Sequence, residues 1–347
     1  MIFPGRLFST GVLPGLLGVF VATLACFVIA FGAASLADEG EGPSPRDPIA
    51  PLPPPPVLDP NKVALGKKLF SDTLLSSKNM LACTSCHDLN AGGTVNLKRT
   101  IGYNGRMHRF NAPTIFNVAN NYRLGWRGNF TSLEAQNEQV LLDENLMAVD
   151  WKTLLSRLQG SEVYRMLFEK AYGKRADRDD VLNALATFQR SLVTPAPFDR
   201  YLRGDKNAIS EEEKKGYQLF KDYGCASCHQ GSNVGGNMFQ KFGIFAEPLP
   251  MGVAVNDGDL GRWTITGADR DIGVFRVPSL RNVEVTAPYF HDGRAETLSE
   301  AVMIMGRSQL GRELPPADVA SIVAFLRTLT GEYEGHRLKA APPKDNR

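Results

Sequence analysis

Cys83-Thr84-Ser85-Cys86-His87 and Cys225-Ala226-Ser227-Cys228-His229 are the stretches of this chain whose residue types and spacing imply chemistry most directly. Two thiols with two residues between them, and an imidazole immediately after, form the attachment pattern of a c-type haem. The thiols add across the two haem vinyl groups as thioethers. The adjacent His then comes under the iron as proximal ligand. Other CxxC chemistries fit less well. A four-cysteine zinc ribbon sets its pairs roughly 15–20 residues apart, whereas Cys225 lies 142 positions after Cys83. A thioredoxin-like pair has no need of the following His. The sequence therefore predicts two covalently bound haems.

The motifs must be held by neighbouring elements, and the apolar periodicity of the chain is mainly helical. Helices are expected over 61–72, 132–142, 151–159, 161–172 and 178–192. Val181, Leu182, Leu185, Phe188 and Leu192 give the last one its apolar face. Pro195 and Pro197 mark a boundary. Ser210 with Glu213 fits a capping box and starts a helix running to about 223 that delivers the second haem motif. Two more are expected over 297–305 and 316–329. A long Gly-rich segment, 231–273, lies between.

The chain has 347 residues, 39 basic and 37 acidic, for a formal charge of +2. That balance offers no basic tract for nucleic acid. Five cysteines are present. Haem attachment takes four and leaves Cys26, so no structural disulfide is expected. Arg6 precedes an apolar run ending at Asp38-Glu39-Gly40-Glu41. Residues 1–37 read as a signal peptide with Ser35-Leu36-Ala37 as the cleavage site, or as a retained membrane anchor. Either places the body outside the cytoplasm, in the periplasm. Residues 38–60 are a Pro-rich linker of extended, polyproline II type. Residues 61–198 and 199–331 form two haem domains, and 332–347 a polar, frayed tail.

The two domains repeat each other. Gly66-x-x-Leu69-Phe70 precedes the first haem motif and Gly216-x-x-Leu219-Phe220 the second. Ala112-Pro113-Thr114-Ile115-x-Asn117-Val118 matches Val277-Pro278-Ser279-Leu280-x-Asn282-Val283 at an offset of 165. Thr131 to Ala135 matches Glu296 to Glu300 loosely at the same offset. In the second half Met305 follows the haem motif at a distance suited to a thioether sixth ligand. His/Met ligation raises the potential and suits electron transfer. The first-half counterpart of Met305 is Val140, which cannot ligate. One haem is thus expected to be closed and electron-carrying, the other open or differently ligated and catalytic.

With these motifs in view, the chain resembles the bacterial di-haem cytochrome c peroxidases and the related MauG proteins over about residues 58–331. The strongest stretch runs from Phe275-Arg276-Val277-Pro278-Ser279-Leu280-Arg281-Asn282-Val283 through Tyr289-Phe290-His291-Asp292-Gly293 to Met305-Gly306. Cys228-His229-Gln230-Gly231 with Val234-Gly235-Gly236-Asn237 is equally family-like. The resemblance implies a mainly α fold of two cytochrome c-like domains with a calcium ion at their interface. It makes His87 the proximal ligand of the peroxidatic haem, and His229 with Met305 the ligands of the electron-transferring haem. Calcium would be held by Asn111 and the backbone carbonyls of Thr286 and Pro288, oxygen donors that suit a hard cation. Trp126 matches a Trp between the haems, and Gln136 a polar residue of the distal pocket.

The chain also departs from the pattern. The peroxidases usually carry a distal His eight residues before the Asn of the Asn-Ala-Pro motif; that position is Tyr103, and His108 is displaced by five. The distal Glu falls on Leu146, with Glu144 nearby. MauG proteins replace the axial Met by Tyr, which Met305 does not match. The function implied is reduction of H2O2 to water with electrons from a small cytochrome c or cupredoxin. The alternatives are a MauG-like oxidase of Tyr or Trp in a partner protein and a non-enzymatic electron carrier. A homodimer is one assembly left open.

Overall fold

The computed structural model describes residues 47–246 and 256–342. The leader 1–37 with Cys26, the first part of the linker and residues 343–347 lie outside the described residues. Helices dominate, with only two short two-stranded sheets among the described residues. None of these helices is long and apolar enough to cross a membrane.

Each half is built on one crossed helix pair. In the first half, α1 (Pro60–Phe70) packs on α5 (Arg178–Ser191). Asp59 caps α1 by accepting the Asn61 and Lys62 N–H groups, and Pro60 sits at the first helical position, where its missing N–H costs nothing. The crossing point is Gly66, where a Cβ would lie 2.1 Å from the Ala184 carbonyl oxygen. In the second half, α7 (Glu211–Asp222) packs on α10 (Pro316–Arg327), and the crossing point is Gly216, where a Cβ would lie 1.9 Å from the Ser321 carbonyl oxygen. The glycines of the two Gly-x-x-Leu-Phe motifs thus do the same work. The capping box expected at Ser210 and Glu213 is formed in both directions.

The offset of 165 is visible in the structure. Ser132 caps α2 (Leu133–Leu142) through the Ala135 N–H, and Thr297 caps α9 (Leu298–Leu310) through the Glu300 N–H. The Leu124–Phe130 bridge is matched by Tyr289–Ala295. Asn117 and Asn282 both adopt left-handed backbone, at φ 57° and 62°. They meet at Thr194: its Oγ1 is 2.7 Å from Asn117 Nδ2 and 3.0 Å from Asn282 Nδ2. The remaining helices are α3 (Trp151–Gly160), α4 (Glu162–Tyr172), α6 (Pro197–Leu202) and α8 (Trp263–Thr266). Strands β1 (Phe239–Lys241) and β2 (Val274–Arg276) pair antiparallel within the second half.

Three expectations need correction. The linker is not a free spacer: Ile49 is buried in the core of the second half, and Leu52 is buried beside it in sequence. The strap 47–52 is fastened by Leu52 N–H to Asp199 Oδ1 (2.7 Å), Gly231 N–H to Pro48 O (2.8 Å) and Tyr217 Oη to Asp47. Nor is the start of the tail frayed. Strands β3 (Glu332–Tyr333) and β4 (His336–Arg337) pair, Tyr333 packs on Phe116, and Leu338 enters the core of the first half. Finally, α9 runs five residues past Met305. Gly306 is read through because its missing side chain admits the returning Arg312–Leu314 turn.

Candidate functional site

Both haem motifs fold as single 3-10 turns, Cys83–Ser85 and Cys225–Ser227. The backbone of the following His closes each turn, His87 N–H on Cys83 O (2.9 Å) and His229 N–H on Cys225 O (3.0 Å). Each imidazole is oriented through Nδ1. His87 Nδ1 lies 3.1 Å from Gly93 O, and His229 Nδ1 lies 3.3 Å from Val234 O. A carbonyl partner assigns the proton to Nδ1 and leaves the Nε2 lone pair free for a metal. The Phe of each Gly-x-x-Leu-Phe motif stands against its ring, Phe70 and Phe220 both at 6.4 Å between centroids. Burial pushes both imidazoles down, His229 to about 4, toward the neutral form that ligation requires. Burial likewise pushes Cys83 up to about 12 and Cys225 up to about 11. Among the described residues all four cysteines are outside disulfides.

Above the second motif lies a cavity of about 360 Å³. Cys225, Cys228, His229 and Met305 line it together, with Phe220, Leu298, Val302 and Leu326 as apolar wall. Thiols, an oriented imidazole and a thioether around one apolar space fit a covalent haem with His and Met axial donors. In the first half, Val140 packs against the core on α2, and the thioether has no counterpart there.

Asn111, Thr286 and Pro288 line the wall of the same cavity. Asn111 is buried and its amide N donates to Leu97 O (3.1 Å) and Lys98 O (3.3 Å). This turns the nitrogen away and leaves the amide oxygen as the donor a calcium ion would use. Trp126 also reaches the cavity. Its indole N–H donates to Asn111 O at 2.9 Å, and its ring meets His291 edge-on at 6.4 Å.

Gln136 is half-buried on α2, one turn before Val140. Tyr103 is half-buried in a turn docked on the loop after α2: its N–H donates to Leu146 O (3.2 Å), and Lys78 stands over its ring. Gly102 permits that docking, since a Cβ there would lie 1.5 Å from Asn145 O. His108 is tied inside its own loop, with Nδ1 3.2 Å from both the O and the N of Phe110. It faces a polar cleft with Arg99, Arg106, Arg109 and Asp143. Among the described residues no hydrogen bond joins Tyr103, Gln136 and Trp126 to one another. Met147 is buried in the core, whereas Met303 is exposed.

Sequence reasoning missed two groups. Asp259 and His291 pair at 2.7 Å, and Arg294 binds Asp292 at 2.8 Å beside them. Burial works against the charge of Asp259. The Asn256 N–H, His291 and Arg294 nonetheless hold it below the usual carboxylate range. With Arg294 among these carboxylates the cluster is an ion-pair network. The second group is Arg276, buried in the cavity wall and lowered by burial to about 10. Asp259 lies in a Gly-rich stretch with no motif around it. Arg276 was findable, because the 165 offset sets it opposite Asn111.

The fold and its two oriented Cys–Cys–His sites define a two-haem c-type cytochrome. The comparisons with known proteins agree. A family model described as di-haem cytochrome c peroxidase matches residues 60–207, and one described as cytochrome c matches 213–330. The chain is 40% identical over 303 residues to the cytochrome c551 peroxidase of Nitrosomonas europaea, covering 87% of this chain and 89% of the relative. It is 39% identical over 274 residues to that of Pseudomonas aeruginosa, covering 77% and 78%. Among solved structures, a MauG-like protein associated with microbial copper homeostasis superposes with a TM-score of 0.71 at 26% identity, covering 83% of this chain and 95% of that one. The chain belongs to the di-haem cytochrome c peroxidase family, a family of haem oxidoreductases.

Proposed function

We propose that the protein reduces hydrogen peroxide to water in the periplasm, with electrons from a small cytochrome c or cupredoxin. The balance is one H2O2, two protons and two electrons giving two waters. The observation that carries this reading is the asymmetry of the halves, with Met305 and His229 lining one cavity and Val140 in the place equivalent to Met305. When bound, the haem irons supply one-electron chemistry and a site for O–O cleavage. Cys83, Cys86 and His87 would hold the peroxidatic haem; Cys225, Cys228, His229 and Met305 would hold the electron-transferring one. Gly93 O and Val234 O keep both imidazoles oriented, while burial favours their neutral form. Gln136 and Tyr103 are the polar side chains assigned to the peroxide side, where a positioned donor assists proton transfer to the leaving oxygen. Trp126, fixed by Asn111 O, lies on the route between the halves. Met305 weighs against the MauG-like alternative.

The holoprotein should give two haems per chain in a pyridine haemochrome assay and oxidise reduced cytochrome c on addition of H2O2. Two haems without turnover would reduce it to an electron carrier. Modified Tyr or Trp in a partner protein would favour the oxidase. Calcium at Asn111, Thr286 and Pro288 is part of this proposal. Chelation should slow electron transfer between the haems and leave the haem count unchanged; full activity in a metal-free preparation would remove calcium from the account.

A further inference from the structure

The two halves meet through reciprocal contacts. Asn111 N–H donates to His291 O at 2.7 Å, and Arg276 N–H donates to Trp126 O at 2.9 Å. Asn111 and Arg276 are related by the offset of 165, and so are Trp126 and His291. What Asn111 is to the second half, Arg276 is to the first. Their side chains differ. That of Asn111 turns back and binds Leu97 O and Lys98 O of its own half. The Arg276 side chain crosses the seam: Nε donates to Gly125 O at 3.1 Å, and one terminal nitrogen lies 3.4 Å from Asn121 Oδ1.

The seat of this guanidinium is made of neutral oxygens. Arg276 is 5% exposed, and among the described residues it makes no ion pair. Asn121 Oδ1 is itself held by the Asn233 amide at 2.7 Å. It is also closed over by Gly236, where a Cβ would lie 2.1 Å away. Each of these oxygens accepts from the guanidinium fork, so the side chain ties the backbone of the first half to the strand that carries it. Asn111 offers the same donor type on its side of the seam but brings no charge.

We propose that Arg276 is a fixed cation locking the seam between the halves, the covalent counterpart of the dissociable ion proposed at Asn111. It acts as a positioning residue: its side chain holds Asn121 and the carbonyl of Gly125, the residue before Trp126, and so fixes the indole on the route between the haems. The comparison with calcium rests on the reading above. All variants are therefore measured at saturating calcium, while chelation of the wild type tests the Asn111 site alone.

The experiment is stopped-flow transfer from the reduced second haem to the first in holoprotein. Arg276→Met, neutral and of similar length, should slow transfer by at least about tenfold, the lower end of the cost of losing an outer partner of a metal site. Arg276→Lys should stay near wild type, and millimolar guanidinium should restore Arg276→Ala. A wild-type rate in Arg276→Met would overturn the proposal. So would a Lys variant as slow as Met, or a shifted second-haem potential with an unchanged transfer rate, which would make Arg276 a counter-ion of a haem carboxylate. Should Arg276→Met fail to fold, the Lys variant decides alone.

Discussion

Met305→Ala is expected to lower the reduction potential of the second haem and to abolish its His/Met spectrum. A thioether favours the ferrous state, and axial ligand choice spans about 0.8 V among haem proteins, so a fall on the order of 0.1–0.3 V is expected. Peroxide turnover with reduced cytochrome c should fall roughly 10–100-fold, a scale already reached by mutating outer partners of metal sites, because the donor can no longer fill that haem. The fold should survive: Met305 lines a cavity and is only half-buried. An unchanged spectrum in potentiometric titration would assign the sixth ligand elsewhere.

Asp199→Ala should be the most damaging single change to stability. Asp199 and Arg281 pair at 2.9 Å with both side chains fully buried. Asp199 also accepts the Leu52 and Ala196 N–H groups, while Arg281 binds Ser232 O at 2.9 Å just after the second haem motif. Removing one member of a buried pair leaves an uncompensated charge, at a cost of roughly 3–5 kcal/mol. Because the strap 47–52 hangs on the same carboxylate, it should also become susceptible to proteolysis. Equilibrium unfolding of the holoprotein reads the first effect, and limited proteolysis the second. A variant as stable and as resistant as wild type would show that the pair is neutral to folding.

The local chemistry was legible in the sequence because it is set by short-range covalent and capping rules. The CxxCH motifs, the Ser210–Glu213 box and the 165 offset each lie within a few residues or repeat as a block. Burial of the strap was not legible. Proline content announces an extended backbone, but what that backbone touches depends on Asp199, 147 residues from Leu52. Pro197 was read as a boundary, although it occupies the first helical position of α6, where proline is at home. The tail hairpin carries no apolar alternation; it is held by Tyr333 on Phe116 and by Lys67 with Glu334 at 2.6 Å. Within the site, the Cys–Cys–His residues stood in motifs and Met305 in the repeat. Arg276 could be reached through its offset of 165 from Asn111, whereas the Asp259–His291 pair gains its meaning only in the folded chain.

Two irons that differ in their sixth position should be separable by electron paramagnetic resonance of the fully oxidised holoprotein. Tyr103 occupies the position eight residues before Asn111 where the resemblance would place a distal His, and its turn is docked on Leu146 O. His108 is bound to its own Phe110. The expected spectrum contains one low-spin ferric signal, lost in Met305→Ala, and one high-spin signal that Tyr103→Phe leaves intact. Two low-spin signals, one of them turned high-spin by His108→Ala, would contradict that difference and make His108 the distal ligand of the first iron.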